Sequence, residues 1–347
     1  MNRTYYFRII DKTLISHTLI LTLTYINNFR SCYHLQLYIF KYYKLLYKMN
    51  WVIDSLIAMI GGALYTFFLT LSSDNYESSS IVSVVLLTTG LWFYFRNLPF
   101  SNFLKYTEIW GIISGIVFGL TTYFVSQSVK RVSNAGVPAQ LVPLSGLIAY
   151  LGGIIILKQK FNWKKFYPML IILFGSITTI LPDLNNFKSN DNLWIFYILL
   201  ALLFAALSDI TAKLSLNKIT NSQYQIIALL TAGLSVLLIQ LVETKSIGLK
   251  KLPKNKIKNK SEIKILDQKP IISIILTIVS MILFREYYGK SIIKADNPGL
   301  PRNIINAGFV PLALISRFLE KNSEITLFQY IGMGITLIGL GFSAKNS

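Results

Sequence analysis

The chain has 347 residues, 53% of them hydrophobic and only 14% charged, where soluble domains carry roughly 25% charged residues. Fifteen acidic residues and a mean hydropathy of +0.52 exclude an ordinary soluble globule and a disordered chain, and point to a protein whose solvent is lipid. The net charge of +19 does not indicate nucleic acid, because 12 of those units sit in residues 1–50 and 243–269, beside apolar blocks, where anionic lipid headgroups would meet them.

Residues 1–48 contain no Gly, Ala, Val, Pro or Glu, yet hold both histidines, the single cysteine Cys32 and eight of the 20 tyrosines. Met49 stands at the end of that stretch, just before Trp51 and the first long apolar run. We expect 1–48 to be a basic N-terminal extension, an over-extended gene start with Met49 as the true start; a real basic leader is the alternative. It makes a poor signal peptide, since His17 interrupts the run Leu14–Ile26 and no small-residue cleavage site follows. Without it the chain has no His and no Cys, which excludes structural zinc, thiol nucleophiles and imidazole chemistry. We expect no cofactor and no metal.

A helix needs about 20 apolar residues to cross the hydrocarbon core. In chain order the spans are read at 51–71, 79–95, 109–130, 136–157, 166–182, 193–214, 224–242, 270–293, 298–318 and 327–343. Connections are short and polar except the Lys-rich stretch 244–269. On the third span Gly111, Gly115 and Gly119 lie four apart on one face; close packing within the chain is one reading and a homodimer face the other. Lys/Arg bias places the N-terminus inside for the first half, whereas the Lys-rich stretch then falls outside.

The sequence also repeats. Asn134-Ala135-Gly136-Val137-Pro138 recurs as Asn297-Pro298-Gly299-Leu300-Pro301, 163 residues on, and Ser128 maps to Ser291 at the same offset. Phe166 maps to Tyr330 and Gly175 to Gly339 at 164, and Trp51 and Trp194 open the first span of each half. Taken alone, Asn-x-Gly-x-Pro is a helix start, with Asn as cap and Pro in the first turn. The expected fold is an all-α multi-pass membrane protein of about ten transmembrane helices, built as two inverted five-helix repeats, 49–186 and 187–347. An odd number of spans per half inverts the second half, the architecture of alternating-access transporters.

The stretches 134–181 and 297–343, each a Gly/Pro-started fourth helix, a short polar link and a Gly-bearing fifth helix, resemble the drug/metabolite transporter superfamily with EamA-like repeats. The resemblance covers about 50–344. It implies two five-helix repeats and transport of metabolites such as amino acids, nucleotide sugars or sugar phosphates. In many members an acid ends the fourth helix: Glu320 fits, while the first copy has Lys158-Gln159-Lys160 instead.

A charge at the middle of a membrane helix costs roughly 2.5–3.5 kcal/mol on insertion scales, so charges inside spans are the site candidates. Asp209 and Lys213 lie one turn apart on the sixth span, and Glu286 and Lys290 do so on the eighth, with Arg285 beside them. Arg302, Asn303 and Asn306 follow the second Asn-x-Gly-x-Pro; Gln127 and Gln140 are the polar candidates of the first half. Self-neutralised pairs and snorkelling helix ends are the competing reading. Asp209, Arg285 and Arg302 are expected to share one central cavity, and the excess of cations suggests an anionic substrate. The reading is a secondary transporter of a small polar metabolite, integral to a membrane, with small-molecule substrate and lipids as partners and no nucleic acid. It is not an enzyme, and no Gly-x-x-x-x-Gly-Lys-Ser/Thr motif marks an ATP-driven pump. The alternatives are a membrane-embedded enzyme on lipid-linked substrates, or a non-transporting scaffold or receptor.

Overall fold

The computed structural model describes residues 32–73, 75–97, 108–129, 131, 141–185, 193–245, 247–251, 270–308, 310 and 326–346. The chain divides into two compact units, 1–49 and 50–347. The second is a helical bundle, and the fold below is its own. Ten helices are seen among the described residues: α1 (Cys32–Ser73), α2 (Ser78–Arg96), α3 (Ile109–Val129), α4 (Pro143–Ile156), α5 (Trp163–Asn185), α6 (Leu193–Leu216), α7 (Asn221–Thr244), α8 (Pro270–Lys294), α9 (Gly299–Asn306) and α10 (Leu327–Lys345). Each overlaps one expected span, although α1 begins at Cys32, well before the expected 51, and α9 covers only Gly299–Asn306 of the expected 298–318. The first copy of the motif, 134–138, lies outside the described residues, as do Gln140, Glu320 and most of the Lys-rich stretch.

Six of these helices are long and apolar enough to cross a membrane: Trp51–Ser73 of α1, α2, α3 to Ser128, α6, α7, and α8 from Ile271; Leu144–Ile156 and Leu327–Ser343 are shorter apolar helices. The outer face of the bundle is apolar as well as its core, which also holds Trp194, Ile198 and Leu202 of α6. On α6, Phe196, Leu199, Leu203 and Leu207 face outward in one stripe, while Ala201, Ala205, Ser208, Asp209 and Ala212 are buried. Large apolar groups thus face lipid, and small ones let the helices approach. Buried hydroxyls return their hydrogen to the preceding turn, as Thr89 does to Val85 O (2.7 Å) and Thr277 to Ser273 O (2.7 Å).

Local chemistry sets the helix ends. Thr220 with Gln223 and Thr326 with Gln329 form capping boxes at the starts of α7 and α10. α7 ends where Lys245 turns left-handed, φ 51°. The second Asn-x-Gly-x-Pro is a helix start: Asn297 Oδ1 accepts from Gly299 N at 2.8 Å, and Pro301 sits in the first turn of α9.

The glycine stripe of α3 is taken up inside the chain. A Cβ on Gly115 would lie 2.5 Å from Ala228 O, and one on Gly119 2.7 Å from Ala232 O, so α3 lies directly on the small-residue face of α7. α3 also packs along α6. Three further pairs run antiparallel. In α2–α7, Gly90 meets Leu230 while Gly233 meets Leu87. In α4–α9, Gly146 meets Asn303 while Gly299 meets Tyr150. In α5–α10, Gly175 meets Thr336 while Gly339 meets Ile172.

Candidate functional site

A cavity of about 140 Å³ lies inside the bundle. Its wall comes from α1, α3, α6, α8 and α9, with Val142 just before α4. Polar residues line it on two sides: Thr66 of α1 with Thr121 and Thr122 of α3, and Arg302 and Asn306 of α9, while Tyr65 of α1 borders it with its hydroxyl enclosed. The remainder is largely apolar, with Phe118 and Phe284 the largest groups.

Arg302 is 6% exposed and Asp209 fully buried. They form an ion pair, Arg302 Nε to Asp209 Oδ2 at 3.2 Å. Tyr288 Oη donates to the other carboxylate oxygen, Oδ1, at 2.6 Å. Arg302 Nε also donates to Ser145 Oγ at 3.4 Å, and Ser145 accepts from Asn306 Nδ2 at 2.9 Å. Arg285 is equally buried, and among the described residues no carboxylate forms an ion pair with it. Its guanidinium lies over the rings of Phe118, Tyr288 and Tyr224, at 4.3, 5.0 and 5.6 Å from their centroids. Gln225 Oε1 accepts from its Nε at 2.8 Å, and Gln225 Nε2 donates to Arg285 O at 2.9 Å. Arg285 Nη2 also donates to Tyr224 Oη at 3.4 Å, so three ring faces, one amide oxygen and one hydroxyl surround the cation.

Of the three residues expected to share the cavity, Arg302 lines it. Asp209 stands behind Arg302, and Arg285 behind Phe118, which lines it. Asn306 lines it as well, while Asn303 is buried against Gly146 with an unpartnered Nδ2. The other candidates go elsewhere. Lys213 Nζ donates to the carbonyls of Ile292, Ile293 and Ala295 at 2.9, 3.1 and 2.7 Å, and so caps the C-terminus of α8. Glu286 is held by Arg96 (3.2 Å) and Lys290 (2.8 Å) away from the cavity. Gln127 lies half-buried on α3, outside the cavity wall. Sequence reasoning missed Tyr65, Ser145, Gln225 and Tyr288, whose residue types do not stand out within apolar runs.

The two ends of the bundle differ. At the end carrying Trp51 and the end of α8, Lys294 pairs with Asp54 (2.6 Å), Lys165 with Asp296 (2.5 Å) and Lys218 with Glu108 (2.8 Å). At the other end Ser72 meets Ser273 (2.8 Å), Tyr123 donates to Glu243, and Glu77 N donates to Lys250 O (2.8 Å). The cavity lies toward this second end, level with the last turns of α3 and the first of α6. Among the described residues no three His, Cys, Asp or Glu gather as metal ligands would.

No family model matches the chain, and no curated protein matches it. Solved structures do. One of them, a crystal structure of a protein, superposes with a TM-score of 0.53 at 12% identity, over 86% of this chain and 96% of its own. That likeness shows the fold alone.

Proposed function

We propose that the chain is a secondary transporter that moves a small anionic metabolite by alternating access, as in the drug/metabolite transporters with EamA-like repeats. The observation that carries this reading is Arg302: a buried cation, held from behind by Asp209, lining a cavity inside a bundle with six helices able to cross a membrane. A charge kept at such depth is costly and is expected to serve a solute pathway.

The helix pairing supports two inverted halves, α1–α5 and α6–α10, with the four remaining helices completing ten spans. In α2–α7, α4–α9 and α5–α10 each helix packs on its own counterpart, antiparallel. A two-fold axis in the membrane plane produces this; a repeat of unchanged orientation would pair counterparts in parallel. The contacts Gly90–Leu230 and Leu87–Gly233 exchange under an offset of 143, which is also the offset of Trp51 and Trp194. The cavity wall draws on two counterpart pairs, α1 with α6 and α3 with α8. At the offset of 143 Asp209 corresponds to Thr66, and at 163 Arg285 corresponds to Thr122. Charge enters from the second half, and hydroxyls enter from the first. The ion pairs at one end then act as the closed gate.

The test is counterflow uptake into proteoliposomes preloaded with a panel of anionic, neutral and cationic metabolites. The reading expects saturable exchange of at least one anion. Exchange confined to cations, or none above empty liposomes with inserted protein, would overturn it.

A further inference from the structure

We infer that the cavity selects a short linear monocarboxylate of four or five carbons, whose carboxylate docks on the unused edge of the Arg302 guanidinium. This rests on reading the cavity as the site of the transported solute. A guanidinium has five N–H donors in a fixed fork. Arg302 uses one of them in a hydrogen bond, Nε to Ser145 at 3.4 Å, and its contact with Asp209 is also through Nε. Among the described residues nothing accepts from its two terminal nitrogens, although the residue is more than nine-tenths buried and lines the cavity. Planar carboxylates satisfy such a fork with two parallel hydrogen bonds.

Tyr65 lines the same cavity through its ring, because its hydroxyl is enclosed by protein. The rest of the wall defines the remainder of the solute. Leu69, Phe118, Val125, Ile198, Leu202 and Phe284 offer apolar surface, which suits an alkyl tail and would strand the hydroxyls of a sugar phosphate. Among the described residues no carboxylate lines the cavity, so an amino acid's ammonium would lack a counter-ion there. Size sets the length. A cavity of roughly 150 Å³ takes a six-carbon ring, so 140 Å³ accommodates a carboxylate and three or four further carbons.

The test is isothermal titration of the purified full chain in lipid nanodiscs. The ligands are the linear monocarboxylates from acetate to octanoate, with butyramide, 4-aminobutyrate, inorganic phosphate and glucose 6-phosphate for comparison. Affinity is expected to peak at butyrate or pentanoate and to fall at least tenfold for butyramide and phosphate. The charge-balanced double variant Asp209→Asn/Arg302→Gln, which leaves no lone charge buried, should lose butyrate binding. Equal binding of butyramide, tightest binding of phosphate or glucose 6-phosphate, or full butyrate affinity in the double variant would overturn the inference. So would affinity that climbs steadily to octanoate in both proteins, the mark of partition into lipid. Counterflow on the same preparation separates the two claims. Carboxylate-selective binding without flux removes the transport reading and keeps the ligand class; flux of another solute without butyrate binding does the reverse.

Discussion

Removing one member of the Asp209–Arg302 pair should cost far more than removing both. The nitrogen and oxygen stand 3.2 Å apart with Asp209 fully buried. At an effective dielectric of 20 their attraction is about 5 kcal/mol, a sum that desolvation of both ions largely offsets. The net worth of the pair is therefore small, but the penalty for leaving either charge alone is not. Arg302→Met strands a carboxylate that keeps, among the described residues, only the 2.6 Å bond from Tyr288, and it should destabilise by about 3–5 kcal/mol. Asp209→Asn strands a cation that still borders a cavity and should cost less, about 1–3 kcal/mol. The double variant Asp209→Asn/Arg302→Met should recover most of the sum, giving a coupling of at least about 2 kcal/mol. Unfolding midpoints in a fixed detergent, converted to free energies through a double-mutant cycle, read this directly. Additive single effects, with coupling below about 0.5 kcal/mol, would refute the pair as a unit.

Gly115→Leu should prevent α3 from seating on α7, since even a Cβ there would press on the Ala228 backbone, and folded protein recovered after detergent extraction should fall sharply; Gly334→Ala, with nothing within 4 Å of the new Cβ, should be neutral or slightly stabilising. Lys213→Met should destabilise by about 1–3 kcal/mol by uncapping α8, while Lys213→Arg keeps most of the stability and transport is affected no more than stability; both are checked by thermal unfolding beside uptake. Arg285→Lys should cost about 1–2 kcal/mol in the same thermal assay, because a compact ammonium cannot lie over Phe118, Tyr224 and Tyr288 and also reach Gln225.

Much of the architecture is legible in the sequence because lipid imposes one strong rule: apolar runs of a fixed length. All ten expected spans contain a helix, and the offset of Trp51 and Trp194 is also that of Gly90 and Gly233. Asp209 and Arg302 were legible for the same reason, since a charge within an apolar run has few acceptable destinations. Helical spacing failed where it was asked for more. Asp209 and Lys213 share a face, yet the long lysine side chain reaches along it to the end of α8. Glu286 and Lys290 do pair, but with Arg96 beside them rather than in the cavity. Periodicity gives the face a residue occupies and not the distance its side chain travels. Tyr65, Tyr288 and Gln225 were invisible because tyrosine and glutamine are ordinary within membrane helices. Only the tertiary fold shows that one hydroxyl meets a carboxylate and another meets nothing.

Access to the cavity from both membrane faces tests the account most directly. Ala205 lines the cavity and accepts a small change, so Ala205→Cys in a Cys32→Ser background supplies one reporter thiol there. A membrane-impermeant thiol reagent is applied to sealed vesicles from each face in turn. With the ion pairs intact, labelling should come mainly from the face opposite Asp54 and Lys294. Adding Asp54→Asn and Lys294→Gln removes that closed contact, and labelling from their own face should rise several-fold. Labelling confined to one face whether or not the ion pairs are present would contradict alternating access through this cavity.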